Sequence, residues 1–268
     1  MQNVPPRSAA IDWSPLAARF AAIPDAMRVA VSARDLDSGS TLDHDGGRTI
    51  LSASTIKTLI LVAIARALDA GTLDLDTTVP VTDSMRIGGS GVLNWLHEGI
   101  TLPLRDQAWL MIAISDNTAS NALIEIAGLD TIRALAQELG VPSLDLQRPF
   151  LGRNADETPL RNTVTARGLT DLLTAIWNDT AASPEQCAWM RQLHADQQHR
   201  DRLPRHLPDG ITYAGKTGTL AGISHDCGVI SGPSGTIAIS VLVESDTDKY
   251  EDNAFIGTLG SAVAEIAA

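Results

Sequence analysis

The chain begins and ends with β-strand patterns, and helical patterns fill the long segment between them. Residues 28–34 (RVAVSAR) alternate apolar and polar side chains as a half-buried strand does, and a second strand is predicted near Thr41. Three more strands are predicted towards the other end of the chain, at residues 211–216, 223–230 and 236–244. Strands at both ends with helices inserted between them imply an α/β (α+β) fold built in two parts.

The first part is an antiparallel sheet with flanking terminal helices, and the second is a helical domain. We expect the sheet domain to comprise residues 1–53 and 203–268, and the helical domain to comprise residues 54–202. Residues 55–70 are apolar on nearly every side and stop at Gly71, which predicts a buried helix. Other helices are predicted at residues 12–23, 103–115, 118–127, 130–139, 165–178, 184–194 and 254–267.

Composition excludes several classes of protein. The 268 residues carry 20 basic and 32 acidic side chains, a net charge of −12, and 44% of the residues are hydrophobic. This balance is typical of a globular protein and disfavours a nucleic-acid partner, whose phosphates require basic surfaces. The two cysteines, Cys187 and Cys227, lack disulfide or metal-ligand spacing, and the histidines lack metal-binding motifs. We therefore expect no metal, no cofactor and a monomer that acts on a small molecule.

The amino-terminal segment is informative about the cellular location of the protein. Charged residues at Asp12, Arg19, Asp25 and Arg28 interrupt any apolar run within residues 1–30, and no 18-residue apolar stretch occurs elsewhere. These features are not those of a secretory signal or of a membrane-spanning helix. The sequence as written predicts a cytoplasmic protein that does not enter a membrane. The alternative is a secreted protein whose signal has been removed.

Three short motifs indicate chemistry. Ser54 and Lys57 form an S-x-x-K at the start of the buried helix, residues 115–117 read S-D-N between two helices, and residues 216–218 read K-T-G on a predicted strand. A fixed three-residue word occurs by chance about once in several thousand positions, so the three motifs in this order are a specific signal. Only three lysines occur beside 17 arginines, and two of them lie in these motifs.

The motifs fit nucleophilic catalysis by a serine. Residues at i and i+3 share a helix face, which predicts Ser54 and Lys57 within hydrogen-bond reach. Burial and a nearby Lys216 are expected to depress the pKa of Lys57, so that its neutral amine serves as a base. Ser115 is then positioned to relay a proton to a leaving nitrogen. We expect the backbone N–H groups of Ser54 and Thr219 to form an oxyanion hole.

These motifs resemble those of the serine β-lactamase and penicillin-binding protein superfamily, and most closely the class A β-lactamases. The similarity extends from about residue 30 to residue 264 and includes the segments LRDQAWLMIAISDNTASNALIEIAG and RNTVTARGLTDLL. The resemblance implies Ser54 as the acylated nucleophile, Lys57 as base and Ser115 as proton shuttle. It also implies further substrate-binding residues, which are Asn117 for the substrate amide, Lys216 and Thr217 for the substrate carboxylate, and Gly218 and Thr219 beside them.

The chain departs from this family in the loop at residues 141–162. Class A enzymes carry a Glu-x-x-Leu-Asn word there, and its glutamate activates the water that deacylates the enzyme. Here Phe150 or Leu151 stands where the glutamate is expected, while Asn154 matches the asparagine. Glu157 and the neighbouring Asp156 are candidates to replace the missing carboxylate. Asn162 stands where the family usually has the aspartate that ties the ends of the loop.

Several residues have two interpretations. His225 takes the approximate place of a carboxylate-binding arginine, but a structural histidine that is hydrogen-bonded beside Asp226 is the alternative. Trp95 is expected either at the edge of the substrate cleft or in the core. Asp116 is expected to cap the following helix, and Lys249, within DTDKYED, to be a solvated surface residue.

Residues 210–217 match the P-loop pattern G-x-x-x-x-G-K-[ST]. A P-loop requires a preceding strand and a following helix, and a strand pattern follows instead, so nucleotide binding is not expected.

The sequence predicts a serine hydrolase that opens a β-lactam, or a related amide or ester, through an acyl-Ser54 intermediate. An esterase or D-amino-acid amidase on the same scaffold is one alternative. A covalent β-lactam-binding or sensor protein without turnover is the other.

Overall fold

A computed structural model describes residues 11–152, 158–246 and 248–268. Five strands form one antiparallel sheet in the order β2-β1-β9-β8-β7. They are β1 (Met27–Asp35), β2 (Thr41–His44), β7 (Thr212–Leu220), β8 (Ile223–Gly232) and β9 (Gly235–Ser245). The predicted antiparallel sheet built from both ends of the chain is therefore confirmed. Strand β7, which carries the K-T-G motif, lies at one edge of the sheet.

Two short two-stranded pairs lie outside this sheet. Strand β3 (Ile50–Leu51) pairs with β6 (Thr163–Val164), and β4 (Thr78–Pro80) pairs with β5 (Thr101–Pro103). Strand β3 therefore pairs with residues from the middle of the chain and does not join the terminal sheet. The division into domains at 53/54 and 202/203 stays a prediction.

The helices lie close to their predicted positions. They are α1 (Ser14–Phe20), α2 (Lys57–Asp69), α3 (Leu104–Ala113), α4 (Asn117–Ala127), α5 (Leu129–Glu138), α6 (Ala166–Trp177), α7 (Pro184–Ala195) and α8 (Lys249–Ala267). The largest shift is in α8, which begins five residues before its predicted start because the Asp248 carboxylate accepts a hydrogen bond from Tyr250 N and caps the helix. None of the helices described is long and apolar enough to cross a bilayer.

The sequence pattern predicted that helix α2 begins at Thr55, but the helix begins at Lys57. The residues before it form a tighter turn, in which Lys57 N donates to Ser54 O at 3.3 Å and Thr55 Oγ1 donates to Ser52 O at 2.7 Å. Hydrogen bonds between residues three apart wind more tightly than an α-helix. Ser54 therefore lies in the turn that leads into α2, and Lys57 lies at the first position of the helix.

Two hydrophobic cores cover the two faces of the sheet. The larger core surrounds α2, whose first nine residues are all buried, and includes side chains of α3, α4, α6 and α7. The smaller core packs α1 and α8 against the opposite face. Because α2 is enclosed on every side, its apolar pattern lacks a polar face. The turn before α2 lies against the edge strand β7, where Gly218 approaches Ser54 and Thr55.

Candidate active site

The three predicted motifs meet at one cavity. This cavity, called the Ser54 cavity below, has a volume of about 230 Å³, and Ser54, Ser115, Thr217 and Thr219 are among its lining residues. They come from the turn before α2, from the segment between α3 and α4, and from β7. Residues far apart in the sequence, each with a hydroxyl side chain, therefore line one cavity.

The backbone is strained on both sides of this cavity. Ala53, directly before Ser54, has a φ of 45°, and Ser115 has a φ of 60°. Both values lie in the left-handed region, which non-glycine residues rarely adopt. Such strain persists only where the surrounding structure holds it, and it is concentrated at functional sites.

Gly218 allows β7 to approach Ser54 closely. A Cβ atom at this position would lie 3.1 Å from Ser54 N and 3.0 Å from the Cβ of Ala53. These distances are tighter than ordinary van der Waals contact, so the absence of a side chain sets how near the strand can lie. The glycine of the K-T-G motif therefore brings the β7 backbone against the backbone of Ser54.

The side chain of Lys57 is fully buried and directed at the S-D-N segment. Its Nζ donates to Ser115 O at 2.8 Å, to Ser115 Oγ at 3.2 Å and to Asn117 Oδ1 at 2.8 Å. Among the described residues, Ser54 Oγ is not one of its hydrogen-bond acceptors. The expected direct contact from the i, i+3 spacing is therefore absent from this structure, because Ser54 lies in the turn before the helix.

Two buried lysines repel each other at the site. Burial lowers the pKa of Lys57 well below its ordinary value, and the charge of Lys216 lowers it further, against a smaller opposing effect of Asp116. Lys216 is also fully buried, and burial lowers its pKa to about 7. Its Nζ donates to Thr217 O at 2.8 Å. Burial and the charge of Lys216 both favour the neutral amine of Lys57, which is the direction that the motifs predicted.

Asp116 has the structural role that the sequence predicted, and a second one. Its Oδ1 accepts a hydrogen bond from Ala119 N at 3.0 Å and caps α4. Its Oδ2 accepts from Val92 N at 2.6 Å and from Leu93 N at 2.9 Å. One buried carboxylate therefore fixes both the S-D-N segment and the loop that leads to the cavity wall at Ser90.

Asn117, predicted as a substrate-amide ligand, lies beside the cavity with its side chain already engaged. Its Oδ1 accepts from Lys57, and its Nδ2 donates to Gly88 O at 3.2 Å. Farther along the same loop, Leu93 is buried and Trp95 is 81% exposed. Trp95 is therefore not a core residue, and it does not line the Ser54 cavity.

The loop that departs from the family is closed by Asn162. Its Oδ1 accepts hydrogen bonds from Gln147 N at 2.9 Å and Arg148 N at 3.1 Å, and its Nδ2 donates to Arg148 O at 3.0 Å. The amide thus ties the two ends of the loop through the backbone, where the family usually has an aspartate. Residues 153–157, which include the candidates Asn154, Asp156 and Glu157, lie outside the described residues.

Phe150 packs against the catalytic candidates. The Nζ of Lys57 lies 4.5 Å from the centroid of its ring. Asn121 fixes the Phe150 backbone, because its Oδ1 accepts from Phe150 N at 2.8 Å and its Nδ2 donates to Phe150 O at 3.0 Å. Of the two residues considered for the place of the glutamate, it is Phe150 that contacts the lysine. An apolar ring therefore stands where a carboxylate was expected.

His225 does not face the cavity, which corrects its prediction as a substrate ligand. Val243 N donates to Nδ1 at 3.1 Å, so the ring hydrogen is on Nε2, which lies 3.0 Å from Leu51 O and donates to it. Burial lowers the pKa of His225 to about 4, so the ring is neutral. The alternative of a structural histidine fits this geometry, since both ring nitrogens are occupied by the backbone.

The sequence did not indicate the cationic end of the cavity. Arg202, His199, Asp201 and Lys249 all line it. Arg202 is buried and donates to Gly218 O at 2.8 Å and, through Nη2, to Thr219 Oγ1. These residues lie in an irregular segment and at the first position of α8, where no motif or periodicity distinguishes them. Lys249 is exposed as predicted, but it faces the same space as Ser54.

Comparison with known proteins identifies the family of this chain. A family model described as the beta-lactamase enzyme family matches residues 15–267. The chain belongs to this family. As a β-lactamase-family protein, it is a hydrolase that acts by acylating a serine. The resemblance to class A enzymes expected from the motifs is thereby confirmed.

Individual relatives agree in sequence and fold. The chain is 28% identical to the β-lactamase regulatory protein BlaB of Streptomyces cacaoi, over 79% of this chain and 83% of that protein. It is 29% identical to the β-lactamase AST-1 of Nocardia asteroides, over 89% of this chain and 78% of that protein. The crystal structure of a β-lactamase from Sphaerobacter thermophilus superposes with a TM-score of 0.90 at 35% identity, covering 96% of this chain and 98% of that one.

Removal of the Asp116 carboxylate tests its double role in this β-lactamase-family fold. We expect Asp116→Ala to lower the free energy of unfolding by about 3 kcal/mol, because three backbone N–H groups lose a charged acceptor. Amide hydrogen exchange should accelerate at Val92, Leu93 and Ala119. The matched control is Asp130→Ala, which removes an exposed acid from the first turn of α5 and should change stability by less than about 0.5 kcal/mol. Unchanged exchange at Val92 and Leu93 would contradict this role.

Proposed function

We propose that this chain hydrolyses β-lactams through an ester between the substrate acyl group and Ser54. The observation that carries the proposal is the convergence of Ser54, Ser115 and Thr217 on one cavity, with the amino group of Lys57 hydrogen-bonded to Ser115 Oγ. A serine becomes a useful nucleophile only when a neighbouring base accepts its proton. The lowered pKa of Lys57 supports that base function.

The later part of the proton path follows from the contacts of Lys57, whereas the first transfer requires Ser54 Oγ and Lys57 to come within hydrogen-bond reach when the substrate binds. Ser54 Oγ attacks the lactam carbonyl carbon, and its proton passes to the neutral amine of Lys57. Lys57 Nζ lies 3.2 Å from Ser115 Oγ, so the proton can continue to Ser115 and from there to the lactam nitrogen. The C–N bond breaks as that nitrogen is protonated. Ring opening therefore leaves an acylated Ser54 and a neutral leaving amine on the same molecule.

The developing negative charge requires donors at the carbonyl oxygen. We propose the backbone N–H groups of Ser54 and Thr219 for this role. Two observations support it. Strand β7 is an edge strand, so alternate N–H groups face away from the sheet. Gly218 also brings that edge against Ser54 N.

The substrate carboxylate fits the opposite part of the cavity. Thr217 and Thr219 supply hydroxyl groups there, and Lys216 lies buried beneath them. Arg202 adds a permanent positive charge, because a guanidinium does not lose its proton in proteins. We propose Lys216 and Thr217 as the principal carboxylate-binding groups, as the resemblance implied.

Deacylation is the step that the described residues of this site support least. The ring of Phe150 stands over Lys57 and carries no group that can activate a water molecule. We therefore propose that hydrolysis of the acyl-Ser54 ester is slow. A covalent β-lactam-binding protein with little turnover is the second candidate function, and it is favoured by Phe150 and by the name of the relative BlaB, a β-lactamase regulatory protein.

The remaining expectations concern the surroundings of the protein. The net charge of −12 supports a small-molecule substrate over a nucleic acid. The monomeric state and the cytoplasmic location stay predictions, as does the alternative of an esterase or D-amino-acid amidase.

Intact-mass spectrometry with benzylpenicillin tests acylation. We expect the wild-type mass to increase by one penicillin per chain, and Ser54→Ala to show no increase. Lys57→Arg should also abolish acylation, because arginine keeps the positive charge but cannot accept the proton of Ser54. An adduct on Ser54→Ala, or wild-type acylation rates in Lys57→Arg, would overturn the mechanism. Reaction with D-alanyl esters but not with penicillin would favour the esterase alternative.

The pH dependence of acylation follows from the two lysines. The second-order rate constant should fall towards acidic pH as Lys57 is protonated and ceases to be a base. It should fall again above about pH 7 as Lys216, whose pKa is about 7, loses the charge that binds the carboxylate. In Lys216→Arg the alkaline decrease should disappear, since arginine stays charged, and the profile should rise to a plateau. An alkaline decrease that persists unchanged in Lys216→Arg would exclude Lys216 as its origin.

Substitution of Phe150 tests the cause of slow deacylation. We expect Phe150→Glu to accelerate the loss of the acyl-Ser54 adduct by about 100-fold, the scale of general-base catalysis. Phe150→Gln is the matched control, because it has the same shape as glutamate but cannot take a proton, and should stay near the wild-type rate. The measurement is the decay of the adduct mass after excess penicillin is removed. Equal rates for the two variants would show that lost bulk, and not a gained base, governs deacylation.

A further inference from the structure

Lys249 lies where the sequence did not predict a functional residue. It is the first residue of α8, its side chain is exposed, and it lines the Ser54 cavity with Arg202 and Thr219. Of the three lysines in the chain, Lys57 and Lys216 are fully buried. Lys249 is therefore the one lysine whose ammonium is open to solvent and also faces the cavity.

The first turn of α8 is held at the cavity wall by Asn253, one turn after Lys249. Asn253 Oδ1 accepts a hydrogen bond from Arg202 Nε at 2.9 Å, and Asn253 Nδ2 donates to Asp201 Oδ2 at 2.6 Å. Residues four apart lie on the same face of a helix. Lys249 thus shares its helix face with the residue that anchors α8 to Arg202, and its position at the cavity is set by the fold.

Arg202 itself has few donors left for a substrate. Its Nη1 donates to Gly218 O and to His225 O, its Nε to Asn253 and its Nη2 to Thr219 Oγ1. A guanidinium has five N–H groups, so at most one remains for a ligand. Arg202 contributes positive charge and holds Thr219, but it cannot form the paired hydrogen bonds with which arginine usually binds a carboxylate.

Lys249 keeps its donors available. Three of the nearby carboxylates are engaged elsewhere: Asp248 Oδ1 accepts from Tyr250 N at 2.8 Å, Asp252 Oδ1 accepts from Ser245 Oγ at 2.7 Å, and Asp201 Oδ2 accepts from Asn253. A fourth, Glu251, lies exposed in the same first turn of α8. None of the ion pairs between described residues includes Lys249. An ammonium that lines a cavity offers an anion a local attraction even in a chain of net charge −12.

We propose that Lys249 binds the carboxylate of the substrate at the Arg202 end of the Ser54 cavity and makes the acylation of Ser54 selective for anionic substrates. This inference rests on the proposed function. Lys216 and Thr217 hold the same carboxylate from inside, and Lys249 closes over it from the solvent side. Asp201 lines the same cavity and repels an anion there, so Lys249 also offsets that repulsion.

The test compares two substrates that differ in one charge. Benzylpenicillin carries the carboxylate, and its methyl ester does not. The second-order rate constant for acylation of Ser54 is measured by intact mass for the wild type, Lys249→Ala and Lys249→Arg at low and high salt. We expect Lys249→Ala to slow acylation by benzylpenicillin about 5- to 10-fold, the scale of a charge-assisted hydrogen bond at an exposed site, and to leave the ester within about 2-fold.

Lys249→Arg should restore most of the rate, and the loss in Lys249→Ala should shrink at high salt because the interaction is screened. The control for net charge is Arg19→Ala. Arg19 pairs with Glu265 near the far end of α8, about 24 Å along the helix axis from Lys249 at 1.5 Å per residue. This variant should acylate at the wild-type rate with both compounds, and the melting temperature of each variant checks folding.

The outcomes separate the two proposals. Acylation of the wild type with equal effects of Lys249→Ala on acid and ester, or with no effect on the acid, overturns the role of Lys249 and leaves the proposed function standing. No adduct of the wild type with either compound overturns both. A rate loss confined to the acid, and recovered in Lys249→Arg, supports the carboxylate contact.

Discussion

The buried amino group of Lys57 is the interaction on which the rest of the site depends. Its three hydrogen bonds all go to Ser115 and Asn117, which come from a different part of the chain. A buried amine without partners is costly, so these contacts tie the start of α2 to the start of α4. The same burial lowers the pKa of Lys57, as its proposed role as a base requires. Structural connection and chemical activation therefore have one physical origin.

The strained backbone around the site depends on this connection. Ala53 and Ser115 both have left-handed φ values, which cost free energy unless neighbouring contacts enforce them. Lys57 holds the backbone carbonyl of Ser115 directly. The next residue, Asp116, is fixed by the hydrogen bonds that its carboxylate accepts from Ala119 N, Val92 N and Leu93 N. The hydroxyl groups of Ser54 and Ser115 are thus presented to the cavity by segments fixed on several sides.

Charge is distributed unevenly in this acidic protein. Arg202 and Lys249 line the Ser54 cavity together with Asp201, and the buried Lys216 precedes the lining residue Thr217, while the chain as a whole carries a net charge of −12. A low-dielectric cavity with positive walls attracts small anions even when the whole molecule is negative. The loop at residues 141–162 contributes no charge next to Lys57, because the apolar ring of Phe150 stands where a carboxylate was expected. Among the described residues, those around the cavity attract an anion, and Phe150 provides no base for a water molecule.

The sequence by itself determined the sheet at both ends of the chain, the buried helix and the three motifs, because alternation, helical period and short fixed words are local signals. It also determined the capping role of Asp116, which follows from its place before a helix. Other features were decided only by the tertiary structure. These are the absence of a direct Ser54–Lys57 bond, the orientation of His225 into the protein, the choice of Phe150 over Leu151, and the arrival of Arg202 and Lys249 at the cavity. Each depends on contacts between residues that are distant in sequence, where side chains compete for the same hydrogen-bond acceptors and the same space. Local sequence patterns do not reveal the outcome of that competition.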